Sequence, residues 1–209
     1  MLGVEPKRFA AAFAALVAAV GVGTARADSA PGSFTGHGVS FSYPTEWLNM
    51  PGQVVAEQGT ALWKEFFGPA PQATTPPSSD PTAPPPQPSL TSTDVVIIAG
   101  YHIPISITKK NIGRYKGLVR LSTQNLLAQV GGTLVSGPVR TKLGKLPAYR
   151  LDATATVLNN PVEVRMVIGF RGHSEYFVNC QNTEDGPQSA DIKSGCDQIT
   201  QTFRLVPGN

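Results

Sequence analysis

Five bases without an intervening acid form the strongest candidate binding site in this sequence. They are Lys109, Lys110, Arg114, Lys116 and Arg120. Apolar spacing predicts that a helix starts within this run, and cations at a helix N-terminus oppose the helix dipole. Free backbone N–H groups at a helix start attract anions as well. The run therefore predicts a site for a phosphate, a carboxylate or an acidic polymer. The alternative is a solvated surface whose charge is compensated by acidic segments elsewhere.

The other reactive side chains do not form a known catalytic or metal-binding pattern. His37, His102 and His173 are isolated and lack metal-ligand spacing. The sequence has no Gly-x-Ser-x-Gly elbow, phosphate-binding glycine loop or dinucleotide fingerprint. We read His102 as a strand residue rather than a catalytic base, and Asp152 and Glu163 as outward strand positions rather than a carboxylate pair. We therefore expect no catalytic residue, metal or cofactor, unless the fold assembles distant groups.

Cys180 and Cys196 are the only cysteines in the chain. An even number of cysteines in an exported protein predicts a disulfide. Their separation is far from a Cys-x-x-Cys redox motif, and no histidine lies near them for a metal site. The bond would close a loop that contributes about 3 kcal/mol in the chain-entropy account.

The N-terminus has the pattern of a secretion signal. Lys7 and Arg8 precede an apolar run from Phe9 to Val22, and Ala25-Arg26-Ala27 offers a small-x-small cleavage site. We predict that residues 1–27 are a signal peptide cleaved after Ala27, so the mature chain works outside the cytoplasm. No cysteine near the site offers a lipid anchor, and no later apolar run approaches the roughly 20 residues that span a bilayer. The alternative is a retained N-terminal anchor.

Charge is distributed unevenly along the mature chain, although 14 bases nearly balance 13 acids. Residues 28–100 have a net charge of −5, residues 101–171 of +9, and the remainder of −3. The overall balance gives no reason to propose nucleic acid or a generic anionic membrane as a partner. Either neighbouring elements neutralise one another, or the basic middle presents one surface to an anionic ligand.

Alternating apolar and polar residues predict the strands of an antiparallel sheet. The opening strand covers 39–43 and ends at Pro44, and 94–107 is a long buried strand. Residues 61–67 fit either a hairpin with 53–57 or a helical turn. Turn residues at 159–160 and 172–173 then separate the later segments of a meander. These segments are 133–141, 146–157, 162–171 and 175–179.

Two amphipathic helices should pack on this sheet. A central helix ending at Gly131-Gly132 is predicted by apolar residues at helical spacing, namely Ile112, Tyr115, Val119, Leu126 and Val130. A C-terminal helix starting near Ser189 has one apolar stripe, formed by Ile192, Cys196, Ile199 and Phe203. Cys196 thus faces inward, so the disulfide would attach this helix to the sheet.

Residues 69–93 differ in composition from the rest of the chain. They are rich in proline, serine and threonine and nearly devoid of apolar residues, so they cannot offset the entropy of ordering. We read residues 28–209 as a single domain in which 69–93 is a disordered surface insertion. It is a plain tether, or else it carries O-linked sugars or contacts a partner.

Three short motifs relate the chain to a known fold. They are Gly38-Val-Ser-Phe-Ser-Tyr-Pro44 followed by Glu46-Trp47, then Leu143-Gly-Lys-Leu-Pro-Ala-Tyr149, and Glu175-Tyr176-Phe177. In this order, with a central and a final helix, the mature chain resembles the PsbP-like fold of actinobacterial exported proteins of the LpqN and LpqT lipoprotein type. The resemblance implies an α+β protein with an antiparallel sheet between helices, an α/β/α sandwich. The chain departs from these lipoproteins by lacking the lipobox cysteine and by its proline-rich insertion.

The resemblance implies an accessory or binding role and supplies no catalytic residues. We therefore expect a secreted, non-catalytic binding or accessory module of the bacterial cell envelope. Its partner would be an envelope protein, a lipid or an acidic glycan, and not nucleic acid. One alternative is a cell-envelope hydrolase whose residues are assembled by the fold. Another is a surface antigen or adhesin that uses the proline-rich loop.

Overall fold

The computed structural model describes residues 32–50, 61–69, 93–157 and 159–207. The predicted signal peptide, the predicted strand at 53–57 and nearly all of the proline-rich segment lie outside the described residues. The strands are β1 (Ser33–Gly36), β2 (Val39–Ser42), β3 (Trp47–Met50), β4 (Ala61–Pro69), β5 (Val95–Ile107), β6 (Thr133–Leu143), β7 (Leu146–Val157), β8 (Asn160–Thr183) and β9 (Arg204–Leu205). The helices are a 3₁₀ helix (Ile112–Tyr115), α1 (Lys116–Gln129) and α2 (Ser189–Thr202).

The strands form two antiparallel sheets. The main sheet has the order β3-β4-β5-β8-β7-β6, and the small sheet has the order β1-β2-β9. The predicted opening strand is present as β2, but it lies in the small sheet, where it pairs with β1 and with the C-terminal strand β9. Pro44 follows β2 closely and has no N–H to continue a ladder, so a new strand starts at Trp47.

β8 reverses direction at Gly172-His173, where the sequence predicts a turn. Gly172 has φ +58°, which favours glycine and suits a tight hairpin turn. The two halves of β8 lie side by side, as a hydrogen bond between their far ends shows. The N–H of Glu184, directly after β8, donates to the carbonyl of Pro161 over 3.1 Å. β7 pairs with the first half and β5 with the second. The predicted meander is therefore present.

Residues 61–67 belong to a strand and not to a helical turn. β4 pairs with β5, and Phe66 and Phe67 lie opposite Ile97 and Val96. Both phenylalanines are buried in this position. Packing in the sheet overrides the helical spacing of these residues.

Two apolar cores lie on opposite faces of the main sheet, as an α/β/α sandwich requires. Along β5, Ala99 and Tyr101 belong to the core beneath α1, and Ile98 belongs to the core beneath α2. α1 ends as predicted, because Gly131 adopts φ +68° and the N–H of Gly132 donates to Leu127 over 2.7 Å. The α+β fold with a central and a C-terminal helix is confirmed.

α2 is held on its face of the sheet by the predicted disulfide. Cys180 near the end of β8 is bonded to Cys196 of α2. Gly195 packs directly on the ring of Trp47, so closely that a Cβ at this position would collide with the indole. The helix and β3 are therefore in direct contact beside the disulfide.

Candidate functional site

The start of α1 and the end of α2 lie at the same end of the main sheet, on opposite faces. Ile107, the last residue of β5, pairs with Gly172 at the reversal of β8. The turn between β6 and β7 lies at the same end, because the N–H of Gly144 donates to Thr200 of α2 over 2.7 Å. We call this the basic end, because its exposed residues include Lys109, Lys110, Arg114, Lys116, Arg140, Lys142, Lys145, Arg171 and Arg204.

The five bases predicted from the sequence lie together at this end, where α1 starts. Lys109, Lys110, Arg114, Lys116 and Arg120, here called the α1-start cluster, are all exposed. Asn111 fixes the turn that carries the two lysines. Its side-chain oxygen accepts from the N–H of Thr108 over 2.7 Å, and its side-chain nitrogen donates to Ser106 over 2.8 Å. Within the described ranges, none of the five bases forms an ion pair with an acid.

The neighbouring strands hold the start of the helix in place. The hydroxyl of Tyr149 donates to the carbonyl of Ile112 over 2.9 Å. The guanidinium of Arg140 donates to the backbone carbonyl of Lys109 over 3.0 Å. Burial raises the pKa of Tyr149, and the charge of Arg140 acts in the opposite direction. The hydroxyl therefore stays protonated as a donor. Arg140 adds a sixth base that the sequence analysis missed, because it lies on a strand distant in sequence.

The start of the helix contains no acidic side chain. No side chain caps the 3₁₀ helix or α1, and neither has an acid in its first turn. Several acids of the described chain lie at the opposite end of the sheet, where β5 and α2 begin. They include Asp94, Glu163, Glu184, Asp185 and Asp191. Among the described residues, no ion pair joins the α1-start cluster to these acids.

On the α2 face of the main sheet, acids and bases of neighbouring elements form ion pairs. Arg165 contacts Asp152 at 3.6 Å and Asp197 at 3.0 Å, and Lys193 contacts Glu163 at 2.6 Å. Hydrogen bonds from Lys193 and then Asn182 hold the pKa of Glu163 below its usual range. Asp152 and Glu163 are therefore outward strand residues that form ion pairs with neighbouring bases.

Two of the three histidines lie together, contrary to the expectation that all three are isolated. His102 is an exposed strand residue whose ring stacks on His173 with centroids 5.8 Å apart. His37 stacks on Trp63 at 4.9 Å and lies 3.0 Å from the carboxylate of Glu65. In the part of the chain that the structure describes, no three His, Cys, Asp or Glu residues converge as metal ligands.

Glu175 is an unusual group that the sequence analysis did not single out. It is fully buried on the α1 face of β8, and neither carboxylate oxygen has a hydrogen-bond partner among the described residues. Burial raises the pKa of Glu175 to about 8, so the carboxyl is protonated at neutral pH. A signal was present in Glu175-Tyr176-Phe177, because period two places Glu175 on the same face as the buried Phe177.

Comparison with known proteins reveals similarity at the level of structure only. No protein-family model matches the chain, and no curated protein matches its sequence. A crystal structure of a protein from Bacteroides thetaiotaomicron is similar with 11% identity and a TM-score of 0.47, covering 83% of this chain and 47% of that one. The chain thus spans about half the length of that protein.

Two further similar structures come from the groups that the motifs resemble. The solution structure of cyanobacterial PsbP (CyanoP) from Synechocystis sp. PCC 6803 has 13% identity and a TM-score of 0.48, covering 88% of this chain and 98% of that one. LpqN of Mycobacterium tuberculosis, described as involved in cell envelope biogenesis, has 11% identity and a TM-score of 0.44, covering 81% and 83%. At these identities and TM-scores, the similarity implies nothing about the function of this chain.

Proposed function

We propose that this protein is an extracytoplasmic, non-catalytic module of the bacterial cell envelope that binds an anionic ligand at the start of α1. The observation that carries the proposal is the α1-start cluster, whose five exposed bases have no acidic partner in the described chain. Like charges repel when they are placed close together. An anionic ligand that bridges these side chains would remove that cost.

Two features support the location outside the cytoplasm. Residues 1–27 have the pattern of a secretion signal, and Cys180 and Cys196 form a disulfide of the kind that persists in oxidising compartments. In the described residues, no helix is both long enough and apolar enough to cross a bilayer.

The ligand would meet a largely preformed surface. Asn111 fixes the turn that carries Lys109 and Lys110, and Arg140 is hydrogen-bonded to the backbone of that turn. Surface charges of this kind act over about one Debye length, so binding should weaken strongly with salt. A lipid phosphate and an acidic patch of an envelope protein both have suitable chemistry.

Vesicle binding tests the proposal with a defined anion. We expect the exported, disulfide-bonded protein to bind vesicles containing phosphatidylglycerol, and to bind phosphatidylcholine vesicles much more weakly. The variant Lys109→Ser/Lys110→Ser/Arg114→Ser should lose about tenfold or more in affinity, because surface electrostatics supplies most of the attraction. Co-sedimentation at low and moderate salt measures this loss.

A matched variant separates the cluster from total charge. Lys145→Ser/Arg171→Ser/Arg204→Ser removes the same number of exposed bases but leaves the α1-start cluster intact, so it should retain most of the vesicle binding. Equal binding by the wild type and the α1-start variant would overturn the proposal. If the α1-start cluster is required for vesicle binding, capture from envelope extract with the same two variants, followed by mass spectrometry, identifies the natural ligand.

One observation favours testing the hydrolase alternative. His37 and Glu65 form an exposed histidine–carboxylate pair at 3.0 Å, beside the ring of Trp63. Such a pair can act as a general base. A panel of ester and glycoside substrates tests this function, and activity that is lost in His37→Ala would support it over the binding role.

A further inference from the structure

A groove surrounds Gly144 on the α2 side of the basic end. It consists of two adjoining clefts of about 670 and 400 Å³, which share Gly144 and Gln201. Its walls are the turn between β6 and β7, the last turn of α2 and the start of β9. We call it the Gly144 groove. It is separate from the α1-start cluster.

The lining of the Gly144 groove is strongly basic. The two clefts contain one acid, Asp197, which is paired with Arg165 at 3.0 Å. Four bases of the lining are exposed and form no ion pair among the described residues. These four are Lys142, Lys145, Arg171 and Arg204. Lys145, Arg171 and Arg204 line the larger cleft and Lys142 lines the smaller one, so the unpaired bases extend over both clefts.

Apolar side chains lie between these bases in the larger cleft. Leu146 and Leu205 are half-buried and line it together with Phe203. The Phe203 ring is buried and lies 5.5 Å from Tyr176, which supports the floor from below. The groove therefore offers both positive charge and exposed apolar surface to the same ligand.

The walls of the groove are fixed to one another. The N–H of Gly144 donates to Thr200 over 2.7 Å, and Gly144 is so close to Phe203 that a Cβ would collide with the Phe203 carbonyl. Residue 205 pairs with Val39 of β2. A ligand would thus pay little to order the groove, which favours affinity.

We infer that the Gly144 groove binds a linear anionic polysaccharide. Its carboxylates would contact Lys145, Arg171 and Arg204, and the apolar faces of its sugar rings would lie on Leu146 and Leu205. A single small anion would leave the distributed bases unused. A polyphosphate chain would use the bases but not the apolar floor.

Calorimetric titration with defined oligosaccharides tests this inference on the exported, disulfide-bonded protein. A galacturonate hexamer should bind at least about tenfold more tightly than the galacturonate monomer, because linked charges bind several bases at once. Neutral maltohexaose should not bind measurably. The variant Lys145→Ser/Arg171→Ser/Arg204→Ser should lose about tenfold in hexamer affinity, in line with the loss of several charge contacts.

Two further variants distinguish the site from general attraction to the basic end. Lys109→Ser/Lys110→Ser/Arg114→Ser should bind the hexamer within about threefold of the wild type, because local contacts outweigh screened distant charges. Leu205→Ser should weaken binding of the hexamer but not of polyphosphate. Circular dichroism should verify that each variant is folded.

Three results would overturn the inference. These are equal losses in the two triple variants, equal affinity for monomer and hexamer, and groove-dependent binding of polyphosphate that is tighter than that of the hexamer. None of them bears on vesicle binding at the α1-start cluster, so failure here is distinguishable from failure of the function proposed above.

Discussion

Glu175 is a buried carboxyl with no hydrogen-bond partner among the described residues, and it should make stability depend on pH. Its pKa is raised to about 8 by burial, whereas an unfolded glutamate titrates near 4.5. Between these values the folded protein holds a proton that the unfolded chain has released. Folding stability contributed by this group is therefore complete below about pH 4.5 and falls as the pH rises towards 8.

Glu175→Gln should remove this dependence, because the amide has a similar shape and no proton to lose. We expect the variant to gain stability over the wild type as the pH rises from 5 to 8, by roughly 1 kcal/mol for each pH unit. Urea denaturation at four pH values measures the difference.

Glu163→Gln is the matched control for this experiment. Hydrogen bonds from Lys193 lower the pKa of Glu163, so its contribution is lost only as the pH falls through that lowered value. The slope between pH 5 and 8 should be unchanged in this variant. Parallel curves for the wild type and Glu175→Gln would show that Glu175 does not titrate in this range.

Gly144 is required where the β6–β7 turn meets α2. It has φ +55°, and a Cβ would collide with the carbonyl of Phe203. Gly144→Ala should therefore destabilise the protein by about 2 kcal/mol or more. Gly117→Ala is the control, because nothing lies within 4 Å of its Cβ position in α1, and it should stabilise by up to about 1 kcal/mol. Thermal unfolding compares the two, and equal midpoints would contradict the packing described here.

At the scale of elements, α2 depends on contacts of several kinds. The disulfide joins it to β8, Gly195 lies against Trp47, and ion pairs link Asp197 and Lys193 to the sheet. The ion pairs are partly exposed and each contributes at most about 1 kcal/mol. The disulfide should therefore be the largest single constraint on this helix.

Cys180→Ala/Cys196→Ala tests the contribution of the disulfide. We expect a loss of about 3 kcal/mol in the free energy of unfolding, because the bond closes a loop with a separation of 16 residues. Helix content at 25 °C should remain, since the apolar stripe of α2 and its ion pairs are intact. Urea denaturation and far-ultraviolet circular dichroism measure both quantities. An unchanged urea midpoint would show that packing alone holds α2.

At the scale of the whole molecule, charge is separated between the two ends of the main sheet. The basic end has many exposed bases, and the acids near Asp94, Glu184 and Asp191 lie at the opposite end. A protein with this distribution orients in an electric field and presents its basic end to an anionic surface. Local charge, rather than the small net charge, should then decide its interactions.

Cation exchange at pH 7 tests the importance of local charge. We expect a protein of residues 28–209 to be retained despite its near balance of acids and bases, because the matrix contacts the basic end. The variant Lys109→Ser/Lys110→Ser/Arg114→Ser should elute at clearly lower salt. Asp185→Asn/Asp191→Asn changes net charge at the opposite end and should shift elution much less. Elution that follows net charge alone in all variants would contradict this account.

Sequence patterns predicted the elements whose signals are local. The alternation in β5, the apolar spacing in α1 and the glycine end of α1 all agree with the structure. Residues 61–67 were ambiguous, because aromatic residues that fit a helical turn also fit a buried strand. The opening strand was correctly located but joined a separate sheet, since its partner β9 lies at the far end of the chain.

The sequence by itself determined the α+β class, the two helices and the disulfide, because these depend on local periodicity and on scarce residue types. Only the tertiary structure decided which charges meet. It placed Arg140 on the backbone of Lys109, gathered Lys145, Arg171 and Arg204 around Gly144, and buried Glu175 where no described residue offers it a hydrogen bond. Such contacts join residues far apart in the chain, and their energies depend on distance and burial, which strand register and helix docking determine.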